Sequence, residues 1–309
     1  MRLPLYKIPM KLIALKIDVD TMAAITVGVP RLQQILSDRQ CGATFFWSLG
    51  VEKKGTLLWP ARGLRRFHGM GLLPLKARFG LKALCRGSLL PASRLTKSAV
   101  NAIRTLNSPA FEHGVRPERG YDWLRDIRAM LPLPSESELK KTLASFARLT
   151  GVQPKAFSAL AWQSNRAVYR AEQMAGLDFA SDTRGYSPFF PVINGEPVRC
   201  VQLPVSLPMF EEAGRATCDE LVDALLQETQ SEPPAGHVFN IAADFDAIQY
   251  AEQLTRLLDG WLAQGYQLVS LGTLYQQLNL ADLAYHEITQ AECSGRIGLL
   301  ATQGRQFPH

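Results

Sequence analysis

An α/β fold with a barrel-like parallel sheet is predicted by two observations. Short β-branched or aromatic runs alternate at least six times with stretches of three- and four-residue apolar spacing, and neither a repeated motif nor a linker interrupts them. The 309 residues also suffice for one large core, so the chain is read as a single domain.

The first strand is carried by Leu12, Ile13, Leu15, Ile17 and Val19, an apolar run with Asp18 and Asp20 at its C-terminal end. The i, i+2 spacing puts both carboxylates on one face, and in a parallel fold that end faces the ligand crevice. One such acid can hold a metal while the other takes a proton; alternatively, the pair only caps the following loop. A helix begins near Pro30 and runs through Leu36, and Ala43 to Ser48 forms the second strand, which makes a right-handed β-α-β unit. Further along, Phe111 to Arg116 is strand-like, Ser135 to Leu149 a capped helix, Phe157 to Trp162 a short strand and Ala167 to Ala175 a helix closed by Gly176. Phe179 to Asp182 reads as a strand, Gly185 to Pro197 as a Pro-rich loop, and Cys200 to Val205 as an edge strand. Asp219 to Gln230 is helical, Val238 to Ala242 a strand and Ala247 to Gly265 a long helix, and Gln267 to Leu271 closes the series.

Composition narrows the function classes. No apolar stretch approaches the roughly 18 residues of a membrane-spanning helix, and the opening residues lack the apolar core of a signal peptide. Five scattered cysteines without a Cys-x-x-Cys pair suit a reducing, cytoplasmic compartment and argue against a disulfide framework or a thiolate zinc site. The net charge of +6 is local: residues 53–111 hold twelve Lys and Arg and no acid, so the rest of the chain is net acidic. There Trp59, Phe67 and Phe79 are interleaved with Arg62, Arg65, Arg66, Lys76, Arg78, Lys82 and Arg86. Such a basic amphipathic helical insertion suits an anionic membrane surface, with each basic residue contributing about 1 kcal/mol. A core-covering insertion with a solvated basic face is the alternative, and with no nucleic-acid module recognisable, a nucleic-acid partner ranks last.

With these pieces placed, the chain resembles the polysaccharide deacetylase, or NodB-homology, family, and within it the deformylases acting on formamido-arabinose carried by undecaprenyl phosphate. The resemblance rests on Ile17-Asp18-Val19-Asp20-Thr21, Gly28-Val29-Pro30-Arg31-Leu32, Ser181-Asp182-Thr183-Arg184-Gly185 and Gln202-Leu203-Pro204-Val205-Ser206-Leu207-Pro208, whose order spans almost the whole chain. It implies a distorted (β/α)7 barrel and a cytoplasmic protein on the inner-membrane face. It also implies amide hydrolysis assisted by a divalent metal such as zinc, held by one Asp and two His, with Asp18 as base and Asp20 as metal ligand. Trp162, Asp182, Arg184 and Pro204 are the matching pocket positions, Arg184 being a candidate contact for an anionic headgroup.

The resemblance fails at the metal. Alignment through Glu112, Gly114 and Trp123 puts Arg116 and Gly120 at the two His positions, Gln163 and Asn165 where the family has Arg and Asp, and Ala242 where the general-acid His belongs. A guanidinium has no lone pair to give a metal, and glycine has no side chain. His113 and His237 are odd numbers of residues from Arg116 and Ala242, so strand alternation turns them away. No metal cofactor is therefore expected, and Arg116 is expected to neutralise Asp18 and Asp20. The resulting expectation is a pseudoenzyme that binds an undecaprenyl-phosphate-linked sugar, in lipid A modification, as a partner or regulator of an active deformylase relative. The alternative is an active hydrolase of an N-formyl or N-acetyl aminosugar with an unorthodox site.

Overall fold

The computed structural model describes residues 11–58, 67–127, 132–213, 217–231 and 235–308. In chain order its strands are β1 (Leu12–Val19), β2 (Ala43–Trp47), β3 (Val51–Glu52), β4 (Ser93–Arg94), β5 (Phe111–Val115), β6 (Ala156–Phe157) and β7 (Phe179–Ala180). They continue as β8 (Phe190–Ile193), β9 (Glu196–Pro197), β10 (Val201–Gln202), β11 (His237–Ala242), β12 (Gln267–Val269), β13 (Tyr285–Glu292) and β14 (Leu299–Gln306). The α-helices are α1 (Val29–Asp38), α2 (Leu75–Cys85), α3 (Thr96–Thr105), α4 (Gly120–Asp126), α5 (Pro132–Thr150), α6 (Arg166–Met174), α7 (Cys218–Glu228), α8 (Asp246–Gln249), α9 (Ala251–Ala263) and α10 (Leu271–Gln277).

Seven parallel strands run in the order β10-β7-β6-β5-β2-β1-β11, and β12 pairs with the beginning of β1. Beyond β10 the chain turns toward β11, where the N–H groups of Ser206 and Leu207 both donate to the Val238 carbonyl at 3.1 and 3.3 Å. That contact joins the two ends of the sheet into the distorted (β/α)7 barrel expected from the sequence. Strand alternation sorts the residues: Ile13, Leu15, Ile17 and Val19 enter the hydrophobic core on one face of β1, while Lys16, Asp18 and Asp20 share the other. Inside the barrel, space is short at Gly114, where an added Cβ would lie 2.5 Å from the Phe46 ring. Helix α1 buries Val29, Leu32 and Leu36, the three- and four-residue stripe read from the sequence.

The sequence reading is corrected in four places. Phe157 to Trp162 is a strand only at β6; Leu160–Trp162 is a 3-10 turn in which Ala161 and Trp162 take φ of +52° and +51°. The piece from Gly185 to Pro197 is not only a loop, because β8 and β9 form a hairpin within it. The long helix expected from Ala247 is broken at Tyr250 into α8 and α9. Nor does the series close at β12: β13 and β14 form an antiparallel hairpin that adds to β8 as a second sheet, in the order β14-β13-β8-β9.

The basic stretch and this C-terminal hairpin meet over the barrel mouth. Gly69 N–H donates to Ile297 O and Ile297 N–H to Met70 O, both at 2.8 Å, and Leu72 N–H donates to Gly295 O at 3.2 Å. Within the stretch, α2 is interrupted at Gly80, whose φ of +72° breaks the helix, while α3 buries Ala99, Val100 and Ile103. Among the described residues no helix is long and apolar enough to cross a membrane.

Candidate functional site

Asp18, Asp20, Arg116 and Ala242 come together at the C-terminal rim of the barrel, around a cavity of about 120 Å³. Arg116 follows β5 directly and is buried. Its Nη1 contacts Asp18 Oδ1, and its Nε lies 3.4 Å from Asp20 Oδ1, so one guanidinium bridges both carboxylates. The ion pair expected from the sequence is thus present. Asp18 also accepts a 3.0 Å hydrogen bond from the Asn240 amide, and Asp20 one of 3.1 Å from Ser48. Burial alone would raise the Asp18 carboxyl; Arg116, Lys16 and Asn240 overcome it and hold Asp18 below the usual carboxylate range. Asp20 ends above that range, because burial and the Asp18 charge outweigh Arg116.

The other positions inferred from the resemblance divide. Trp162 lines the cavity, with the Cζ atoms of Arg184 and Arg296 5.1 and 4.9 Å from its ring centroid. Two successive left-handed residues place it there, a conformation costing roughly 1–3 kcal/mol each that surrounding contacts must over-determine. Gly120, at the start of α4, lies behind Asp20 in an adjoining hollow with Ser48 and Glu118. Gln163 does not reach the cavity: its side chain donates to Leu299 O at 2.9 Å and Ala161 O at 3.3 Å. Asn165 is corrected to the N-cap of α6, accepting from Val168 N at 3.1 Å and donating to Ile127 O.

Asp182 is likewise buried away from the cavity wall. It accepts from Ala159 N at 2.7 Å and is hydrogen-bonded to Glu172, whose carboxyl burial and Asp182 push well above its usual range. Arg184 is committed to Glu212 at 3.2 Å, and Pro204 packs beside Gly185. Neither reaches a ligand in the cavity. Of the residues read as membrane contacts, Trp59, Arg62, Arg65 and Arg66 lie outside the described residues, while Lys76 and Lys82 are exposed and Arg86 is half-buried. Three others are corrected. Phe67 is buried, Phe79 lines the cavity, and Arg78 turns inward to bridge Glu211 and Asp244, the latter at 3.0 Å.

Four wall residues were not anticipated. Lys16 shares the face of Asp18 and Asp20, a position legible from period-two spacing; burial lowers its ammonium to about 8, and it donates to Ser181 O at 3.0 Å. Asp244 and Arg296 come from turns and Glu211 from a short 3-10 helix, Phe210–Glu212, whose approach no local pattern signals.

A divalent metal does not fit this donor set. No His or Cys lines the cavity, His113 bonds Trp47 Nε1 at 3.2 Å, and His237 is 3.4 Å from Ser206 Oγ. Among the described residues no group of three His, Cys, Asp or Glu is placed to hold a metal. Of the four acids on the wall, Asp18 and Asp20 are paired with Arg116 and Glu211 and Asp244 with Arg78, whose nitrogens are donors only.

The fold finds its counterparts among solved polysaccharide deacetylases. A Mycobacterium smegmatis protein assigned to them superposes with a TM-score of 0.62 at 15% identity, covering 92% of this chain and 96% of that one. A reactivated mutant of a CE4 family pseudoenzyme, whose wild type is from Bacillus anthracis, gives 0.52 at 13% identity over 86% and 68% of the two chains. No family model matches the sequence. In sequence the chain is 28% identical over 301 residues, 94% of each partner, to a Shewanella sediminis protein described as "Probable 4-deoxy-4-formamido-L-arabinose-phosphoundecaprenol deformylase". It is 22% identical to a Wigglesworthia glossinidia protein of the same description, over 90% of this chain and 97% of that one. The fold is thus that of the polysaccharide deacetylases. In sequence the chain is similar to the deformylases named above.

Proposed function

We propose that the chain is a catalytically inactive relative of the lipid-linked aminosugar deformylases, retained for binding at the cytoplasmic face of the membrane. The observation that carries this reading is the Arg116 guanidinium set between Asp18 and Asp20. A general base poised for hydrolysis is a free carboxylate of tuned pKa beside an activated water. Asp18 is instead depressed and ion-paired, and the leaving-group acid position is Ala242.

Membrane attachment is supported by the surface of the basic stretch. Leu72, Leu81, Leu89 and Leu90 are exposed there beside Lys76 and Lys82, a combination suited to an anionic interface. In this reading the protein binds an undecaprenyl-phosphate-linked sugar and serves as partner or regulator of an active deformylase in lipid A modification. The test is an assay for formate release from an N-formyl aminosugar on a polyprenyl phosphate, with zinc or manganese supplied. No release above the Asp18→Asn background is expected; release that Asp18→Asn abolishes overturns the proposal in favour of an active hydrolase.

A further inference from the structure

We propose that the cavity above Arg116 is an anion site, built for a phosphate monoester. This rests on the reading that Arg116 stands in for a metal, and it follows from the charge that the substitution leaves. The wall carries five basic side chains against four acidic ones. Arg116 is committed to Asp18 and Asp20, Arg78 to Glu211 and Asp244, and Arg296 to Glu211 and Glu212. Lys16 gives its ammonium to Ser181 O.

Lys54 is left over. Its ammonium lies 4.8 Å from the Phe79 centroid and makes no ion pair within 4 Å among the described residues, Asp20, Glu52 and Asp244 acting on it only from farther off. Two more donors on the same wall have no acceptor among them: Nη1 of Arg78 and the indole Nε1 of Trp162, whose residue is 4% exposed. Buried donors without acceptors are costly, and a ligand bringing several acceptor oxygens removes that cost at Arg78 and Trp162, while its negative charge meets the half-buried Lys54. Lysine acts toward phosphate as a mobile point charge, while the Arg78 and Trp162 groups are fixed in place by their packing. A cavity that with a His pair would attract a cation is thereby turned into one that takes an anion.

The source of the phosphate, a free metabolite or a lipid headgroup, is separated by two arms of one experiment. Inorganic phosphate is titrated into the full-length chain by calorimetry, and binding is compared between neutral vesicles doped with phosphatidic acid and vesicles of equal charge made with phosphatidylserine. The expected result is one saturable phosphate site, weakened at least tenfold in Lys54→Gln and severalfold in Trp162→Phe, each variant unfolding at the wild-type temperature. A preference for phosphatidic acid that Lys54→Gln removes assigns the site to a lipid phosphate; its absence beside intact phosphate binding assigns it to a soluble one. No saturable binding in either arm, or equal binding by wild type and Lys54→Gln, overturns the proposal. Stoichiometric manganese binding in place of phosphate would instead overturn the reading of Arg116 on which it rests.

Discussion

Two acid pairs of this barrel, one at the rim and one in the core, are neutralised in opposite ways. Asp18 and Asp20 meet a cation, Arg116, while Glu172 of α6 and Asp182 after β7 meet each other. Glu172 Oε1 and Asp182 Oδ2 have no donor among the described residues, yet the two side chains are hydrogen-bonded, so one proton is shared between them. The first pair lies at the rim, where the family's chemistry would occur; the second ties α6 to the sheet through Gln202, whose Nε2 donates to Glu172 at 3.3 Å. A cation at the rim fixes the charge of the site, whereas a shared proton leaves the core pair dependent on pH.

Breaking the first pair has the largest expected effect. Arg116→Ala leaves two uncompensated carboxylates and is expected to cost about 3–5 kcal/mol at neutral pH, read from the urea midpoint. Because Asp18 then loses the strongest of the interactions that depress it, acidification to the carboxylate range should return part of that loss. Trp162→Ala removes a buried ring and its contacts with the Arg184 and Arg296 guanidinium groups, and about 3 kcal/mol is expected from the melting temperature.

The second pair gives the opposite pH slope. A carboxyl raised in the folded state binds its proton more tightly there than when unfolded, so stability falls as pH rises above the ordinary Glu range. Glu172→Gln keeps the shape and cannot ionise, so it should flatten that slope, by about 1.4 kcal/mol for each unit of the raised pKa, while changing stability little in acid. Smallest in stability is Leu81→Ser with Leu89→Ser, expected within about 0.5 kcal/mol of wild type because both side chains are exposed. Cosedimentation with anionic vesicles should nevertheless fall severalfold; unchanged cosedimentation would move the membrane contact elsewhere.

The same contrast explains what the sequence could disclose. Asp18, Asp20 and Arg116 were legible because each belongs to a strand or follows one directly, and period-two alternation carries their direction. Lys16 was equally legible by that rule. The directions of Gln163 and Asn165 were not, because positive φ at Ala161 and Trp162 breaks the alternation just where they are set, while Trp162 was placed at the pocket by the resemblance alone. Arg78 read as a surface cation, since its partners Glu211 and Asp244 lie more than 130 residues away. The C-terminal hairpin offered little local signal, because the apolar residues Tyr285, Ile288 and Ala291 fall three apart rather than two, and its place over the barrel mouth depends on pairing with Gly69 to Leu72.

The most direct test of the central claim is a calorimetric titration of zinc or manganese into the wild-type chain beside Arg116→His/Gly120→His. With Arg116 occupying the acids, wild type should show no stoichiometric site and the double variant should gain one. A one-to-one site in wild type that Asp20→Ala abolishes would contradict the account.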